Sequence, residues 1–204
     1  MIGYAIKAAV SSGCFDKVIV STDDAETAML AQSLGALTPF VRPAALSDDH
    51  TPTVPVIAHA IEACEREGWL ADEICCIYPG VPFLKPSDIS LAWHLLHSSG
   101  AQYTFPVTSF DSPIQRALTR DAQGVTRPFY PEFSATRTQD LVEGYHDAGQ
   151  FYWGRRTAWL KGQNIHLNGA SIVIPSWRVV DIDTPDDWHR AELLHRALAV
   201  QSIQ

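Results

Sequence analysis

The sequence reads as an α/β domain: a mostly parallel sheet covered by helices on both faces. Three observations predict this. Short, continuously apolar runs, "KVIVST" (17–22) and "EICCIY" (73–78), have the composition of strands buried on both sides. Each is followed by a stretch with helical spacing of its apolar residues, and the connections between them are short. The chain has 204 residues, 46% hydrophobic and 19% charged, enough for one sizeable core in a single domain spanning residues 1–204.

In chain order, residues 2–12 form a helix with Ile2, Ala5, Ile6, Ala9 and Val10 on one face and Gly13 as its stop. The strand 17–22 leads into a helix over 23–35, with acids in its first turn and Gly35 past its end. Prolines and turn residues make "RPAALSDDHTPT" (42–53) a loop. A helix over 54–68, the strand 73–78, a helix over 87–100 and a strand over 102–110 follow. The rhythm then breaks. Residues 111–170 are rich in aromatics, arginines and turn residues with no helical period, the mark of a functional excursion rather than a linker. Order returns with "SIVIPSWRVVDID", two short strands broken by Pro175. A last helix follows, capped by Thr184 with Pro185 in its first turn and Asp187 at the reciprocal capping position. Its apolar stripe is Trp188, Ala191, Leu194 and Leu198.

Composition excludes several classes. A net charge of −8 argues against a nucleic-acid footprint, which needs a basic patch. No apolar run reaches the roughly 20 residues of a membrane span, and the start, "MIGYAIKAAV", lacks the features of a signal peptide. Cys14, Cys64, Cys75 and Cys76 show no metal-ligand spacing, and two are adjacent within an apolar run. Reduced, buried thiols in a cytoplasmic protein are expected.

Asp181 and Asp183 sit one residue apart at the end of an expected strand, and so on one side of it. Helix capping accounts for Asp186 and Asp187 but does not reach these two. Ligands of open α/β sheets gather at strand carboxyl ends, and Mg²⁺ takes one or two carboxylates with water and substrate phosphates. The pair is therefore a candidate Mg²⁺ site; a solvated strand end is the plainer reading of the same spacing.

"FDKVIVSTDD", "RPAALSDDHT", "SPIQRAL", "TRTQDLVEGYHDAGQFYWG" and "VVDIDTPDDWHRAELL" together resemble the cytidylyltransferases that activate nine-carbon acidic sugars. The wording is nearest to pseudaminic acid cytidylyltransferases, relatives of the CMP-sialic acid synthetases, and the match runs in order along essentially the whole chain. The resemblance implies a Rossmann-like nucleotide-diphosphosugar transferase fold and CMP transfer from CTP to a nonulosonic acid. It also implies release of pyrophosphate, Mg²⁺, a homodimer, and a cytoplasmic role in flagellin or surface-glycan modification. It makes Asp181 and Asp183 the metal-binding and catalytic pair. It places Arg137, Gln139, Tyr145, Phe151 and Tyr152 around the sugar, with Gln115 and Arg116 as further polar contacts, and Arg42, Ser47 and Thr51 near CTP. Arginine suits the substrate carboxylate because its planar fork binds bidentately; aromatics suit the apolar face of a sugar. His146 and Asp147 receive no role beyond a core histidine and a turn, and Gly80 in "YPGVPF" leaves room for a ligand or merely turns the chain. The resemblance further implies an opening strand and a glycine- and lysine-rich triphosphate loop, whereas this sequence starts at the helix that follows them. A start codon set too late, a gene fragment and a non-catalytic, dimer-forming descendant are the three explanations. A cytidylyltransferase for sialic or legionaminic acid is the other functional alternative.

Overall fold

The computed structural model describes residues 1–167, 169–180, 182 and 184–201. Helices α1 (Ile2–Ser12) and α2 (Ala25–Ser33) form where their spacing predicts. Gly13 closes α1 at φ 67°, a left-handed conformation that costs glycine little. Asp24 caps α2 by accepting the Thr27 N–H at 2.6 Å. Helix α3 (Thr53–Arg66), strand β1 (Glu73–Ile77), helix α4 (Pro86–Ser99) and strand β2 (Tyr103–Ser109) follow in the expected order. The excursion contributes more regular structure than its sequence suggests. Strands β3 (Leu118–Arg120) and β4 (Thr126–Pro128) make a separate hairpin, and β5 (Tyr145–Asp147), β6 (Phe151–Arg155) and the short helix α5 (Arg156–Leu160) follow. Strand β7 (Gly169–Val173) and helix α6 (Pro185–Gln201) complete the chain.

The expectation of a mostly parallel sheet needs correction at the level of pairing. In the five-stranded sheet, β2 pairs with β7 in parallel, whereas β1–β6, β2–β6 and β2–β5 are antiparallel. Directions explain why the α/β rhythm is still correct. Helix α4 returns β2 in the same direction as β1, and β7 runs with them. Between β1 and β2 lies a slot one strand wide, filled by β6 running the other way. Strand β5 continues that side of β2, pairing with Val107–Ser109 where β6 pairs with Tyr103 and Thr104. The excursion thus supplies the sheet's interior.

Side chains alternate across this sheet as strand geometry requires. Phe151 and Trp153 face one core, with Ile89, Ala92 and Leu96 of α4 and Ala5 and Ala8 of α1. Tyr152, Tyr103, Phe105 and Val107 face the other, with Ile61 of α3 and Trp159 of α5. Helices therefore cover both faces. Each fully buried aromatic or large aliphatic side chain here contributes roughly 1.5–3 kcal/mol. "KVIVST" is less than a strand: only Ile19 bridges Leu37, in parallel. After Pro175 the chain makes a 3₁₀ turn at Ser176–Arg178 in place of a second strand, because proline lacks the N–H a ladder needs. Thr184 and Asp187 form the expected reciprocal cap, with N–H donations of 2.9 and 3.2 Å. Ala191, Leu194 and Leu198 of the predicted stripe pack with Phe83 and Val180, while Trp188 is half exposed and donates its indole N–H to Glu192 at 3.2 Å. Among the described residues no helix is long and apolar enough to cross a membrane.

Candidate functional site

Strands β1, β2 and β7 end at one edge, the edge at which ligands of α/β sheets gather. Three groups of candidate residues lie at or beside it.

The first is the loop entering α3. Arg42 is tied by its backbone N–H to the Thr22 carbonyl at 2.9 Å. Its Nε donates to Ser47 Oγ at 3.1 Å, and its Nη2 pairs with Asp23 at 3.3 Å. Ser47 in turn donates to the Pro43 carbonyl at 3.0 Å. Thr51 donates its hydroxyl to Asp48 at 2.7 Å, which with the His50 N–H holds that carboxylate below its ordinary range. The structure thus brings Arg42 and Ser47 together, with Thr51 at the loop's exit.

The second group crosses the sheet. Thr53, at the start of α3, shares a 2.6 Å hydrogen bond with the Tyr78 hydroxyl just past β1. The Tyr78 and Tyr152 rings meet edge to face at 5.6 Å. Tyr152 donates its O–H to Asp147 Oδ2 at 2.9 Å, and the same oxygen lies 2.6 Å from His166 Nε2. An ionised carboxylate only accepts, so Nε2 carries the proton. Gly149 donates its N–H to the other carboxylate oxygen at 2.8 Å. Burial, reinforced by the Asp147 charge, raises the Tyr152 phenol far above its ordinary value, and burial raises Tyr78 as well. Both stay protonated at neutral pH.

The third group belongs to the excursion, and its polar residues hold the chain's own loops. Gln115 donates to the Val142 carbonyl at 3.0 Å. Arg116 donates to the carbonyls of Phe133, at 3.1 Å, and Thr136. Arg137 is exposed and pairs with Asp140 at 2.8 Å; Gln139 is exposed on the same turn. Tyr145 is half exposed and donates to Glu143 at 2.7 Å. A hollow of about 360 Å³ between Phe110, Pro113, Ile114, Arg116, Phe129 and Tyr130 adjoins these residues. The aromatic pair is divided: Tyr152 joins the polar line just described, while Phe151 is fully buried on the opposite face of β6. A ligand could touch Phe151 only if the core opened.

Asp181 and Asp183 lie outside the described residues. Among the described residues no group of three or more His, Cys, Asp or Glu side chains could hold a metal ion. Sequence reasoning missed the hub at Asp147, its partner His166, and the Thr53–Tyr78 pair that reaches the hub through the Tyr152 ring. The run "YHDAGQFYWG" marked the region, but nothing in the sequence placed His166, 19 residues on, against Asp147.

The layered sheet and its carboxyl-edge cluster define a nucleotidyltransferase-like fold. Similar solved structures include CMP:2-keto-3-deoxy-manno-octonic acid synthetase complexed with CTP, with TM-score 0.65 and 13% identity over 98% of this chain and 88% of that one. Another is 4-diphosphocytidyl-2C-methyl-D-erythritol synthase, with TM-score 0.57 and 12% identity over 95% and 88%. The cytidylyltransferase family model matches residues 1–139. Pseudaminic acid cytidylyltransferase of Campylobacter jejuni subsp. jejuni serotype O:2 is 36% identical over 96% of this chain and 85% of its own length. CMP-N,N'-diacetyllegionaminic acid synthase of Legionella pneumophila is 22% identical over 95% and 84%. The chain belongs to the cytidylyltransferase family.

Proposed function

We propose that this protein transfers CMP from CTP to the anomeric hydroxyl of a nonulosonic acid, pseudaminic acid foremost, and releases pyrophosphate. The observation that carries the reading is the 36% identity to a pseudaminic acid cytidylyltransferase over 96% of the chain. The geometry agrees with it in two places. The loop of Arg42, Ser47 and Thr51 enters α3 at the carboxyl edge, where a nucleotide could approach, and Arg42 brings a fixed positive charge to that loop. On the other side, Arg137 is exposed and, among the described residues, held by Asp140, so a substrate carboxylate can compete for its guanidinium as a bidentate partner. Tyr145, on β5, would offer its ring to the sugar.

Catalysis of this kind rests on alignment and on neutralising charge at the reacting phosphate. Asp181 and Asp183 would provide the carboxylate oxygens that Mg²⁺ takes alongside phosphates and water, a donor chemistry that fits the ion. When bound it would supply charge neutralisation at the α-phosphate. A homodimer, a cytoplasmic setting and a role in flagellin or surface-glycan biosynthesis complete the proposal.

The test is pyrophosphate release from CTP and Mg²⁺ with pseudaminic, legionaminic or sialic acid offered in turn. Turnover highest with pseudaminic acid is expected. Preference for another of these acids would move the specificity, and a folded protein inactive with all three would overturn the reading. Asp181→Asn with Asp183→Asn should abolish Mg²⁺-dependent turnover and leave circular dichroism unchanged. Arg137→Ala should raise the sugar KM by about tenfold, the value of a charge-assisted hydrogen bond, with the CTP KM unmoved.

A further inference from the structure

Asp147 is the residue on which the most separate parts of the candidate site converge. Its two oxygens receive the Tyr152 O–H at 2.9 Å, the His166 Nε2–H at 2.6 Å and the Gly149 N–H at 2.8 Å. These donors come from β6, from the loop ahead of β7 and from the turn between β5 and β6. Asp147 is also the last residue of β5, a strand of three residues that, among the described residues, pairs with β2 alone. So short an edge strand holds its place weakly by its ladder alone. Tyr145, two residues earlier, stands on the same side of that strand. Whatever fixes Asp147 therefore fixes Tyr145. The side chain of Asp147 is 24% exposed, which is enough shelter for its three donors to count.

We propose that Asp147 is a positioning residue for the acceptor sugar: its carboxylate fixes Tyr152, His166 and β5 in one geometry, and through β5 it sets the place of Tyr145. The inference rests on the acceptor-side reading given above. A carboxylate accepts from all three partners at once without changing the hydroxyl's direction or the imidazole's tautomer. Asparagine has the same shape but carries one acceptor oxygen and one donor nitrogen. Turned toward Gly149, the nitrogen meets an N–H that cannot accept; turned toward Tyr152 and His166, it forces the hydroxyl to reverse and the imidazole to change tautomer. Tyr152 and His166 act through Asp147, and contact of either with the sugar is not required.

The experiment is steady-state kinetics on Asp147→Asn, Tyr152→Phe and the double variant, with Arg137→Ala as the control for the acceptor side. Tyr152→Phe removes one oxygen and keeps the ring packed. Asp147→Asn should raise the sugar KM about tenfold, as loss of a hydrogen bond to a charged group predicts. Tyr152→Phe should raise it less, the CTP KM should stay within about twofold, and the double variant should be no worse than Asp147→Asn alone. A merely structural role would lower the melting temperature and leave the sugar KM in place; that result overturns the proposal. If Asp147→Asn does not fold, Tyr152→Phe decides by the same criterion. An effect of Arg137→Ala without one from the Asp147 and Tyr152 variants removes this inference alone. A sugar KM that none of the variants moves removes the acceptor-side reading with it.

Discussion

Arg178 is buried to 6% exposure, and both its terminal nitrogens donate to the carboxylate of Asp88, at the start of α4. Gln150 donates its amide to the Arg178 carbonyl at 2.8 Å, so one residue joins α4, the β5–β6 turn and the segment ahead of Val180. The pair's attraction is largely offset by the cost of taking both charges from water, but removing one partner strands the other. Arg178→Met should therefore cost about 3–5 kcal/mol, and Arg178→Met with Asp88→Leu should recover most of that loss. Urea unfolding measures both; a loss below about 1 kcal/mol in the single variant would mean that the pair is effectively solvated. Neither partner was legible in advance, because they lie 90 residues apart and each has an ordinary local explanation. Asp88 reads as a first-turn acid complementing the helix dipole. Arg42 and Ser47 were marked by the resemblance alone, and the hydrogen bond between them spans only five positions of one loop. Arg137 was marked as well, but its pairing with Asp140 becomes visible only once the 3₁₀ turn is formed.

Strand β6 shows why elements were harder to read than residues. "FYWGR" carries three consecutive aromatics and is buried on both faces, so period-two alternation is absent and the run merges into an aromatic-rich stretch. What identifies it is its place in the slot between β1 and β2, a long-range fact. Gly154 within it is conditioned by that slot. A Cβ at this position would lie 2.6 Å from the Tyr103 ring and closer still to the Trp159 indole nitrogen. Both rings are fully buried and neither can swing away. Gly154→Ala should cost at least about 1–3 kcal/mol, the usual penalty for overpacking a core. A thermal-melting comparison would detect it, and an unchanged midpoint would show that this end of the sheet can spread. The α6 cap is the opposite case. Thr184, Pro185 and Asp187 are local in sequence, so the helix start could be read from four residues. "KVIVST" falls between: its composition is that of a buried strand, but pairing depends on neighbours, and only the Ile19–Leu37 bridge forms.

For the molecule as a whole, the two cores back onto one sheet, and adjacent cysteines look into opposite ones. Cys75 packs against the core that α1 and α4 cover, and Cys76 belongs to the core beneath α3. Burial pushes the Cys76 thiol up to about 12 and raises Cys75 well above its ordinary value, with the neighbouring thiols adding to the effect at Cys75. An unfolded chain ionises these groups near 8.5. Below that pH both states keep their protons, and the stability contributed by the neutral thiols is fully present. Between about 8.5 and 12 the unfolded chain has lost protons that the folded chain retains, so stability falls as pH rises. The Tyr103 phenol, also raised to about 12 by burial, acts in the same direction at the upper end of this window. The urea midpoint should therefore decline steadily from pH 8.5 to pH 11, and Cys76→Ala should flatten the decline while lowering the midpoint at neutral pH through its cavity. Alkylation of Cys76 in the native protein should proceed only as fast as the sheet opens, because the reactive species is the thiolate and the folded state holds it protonated. Rapid labelling of Cys76 at pH 8 in a fully folded sample would show that the sheet breathes locally at β1, and the pH decline would then rest on Cys75 and the tyrosines.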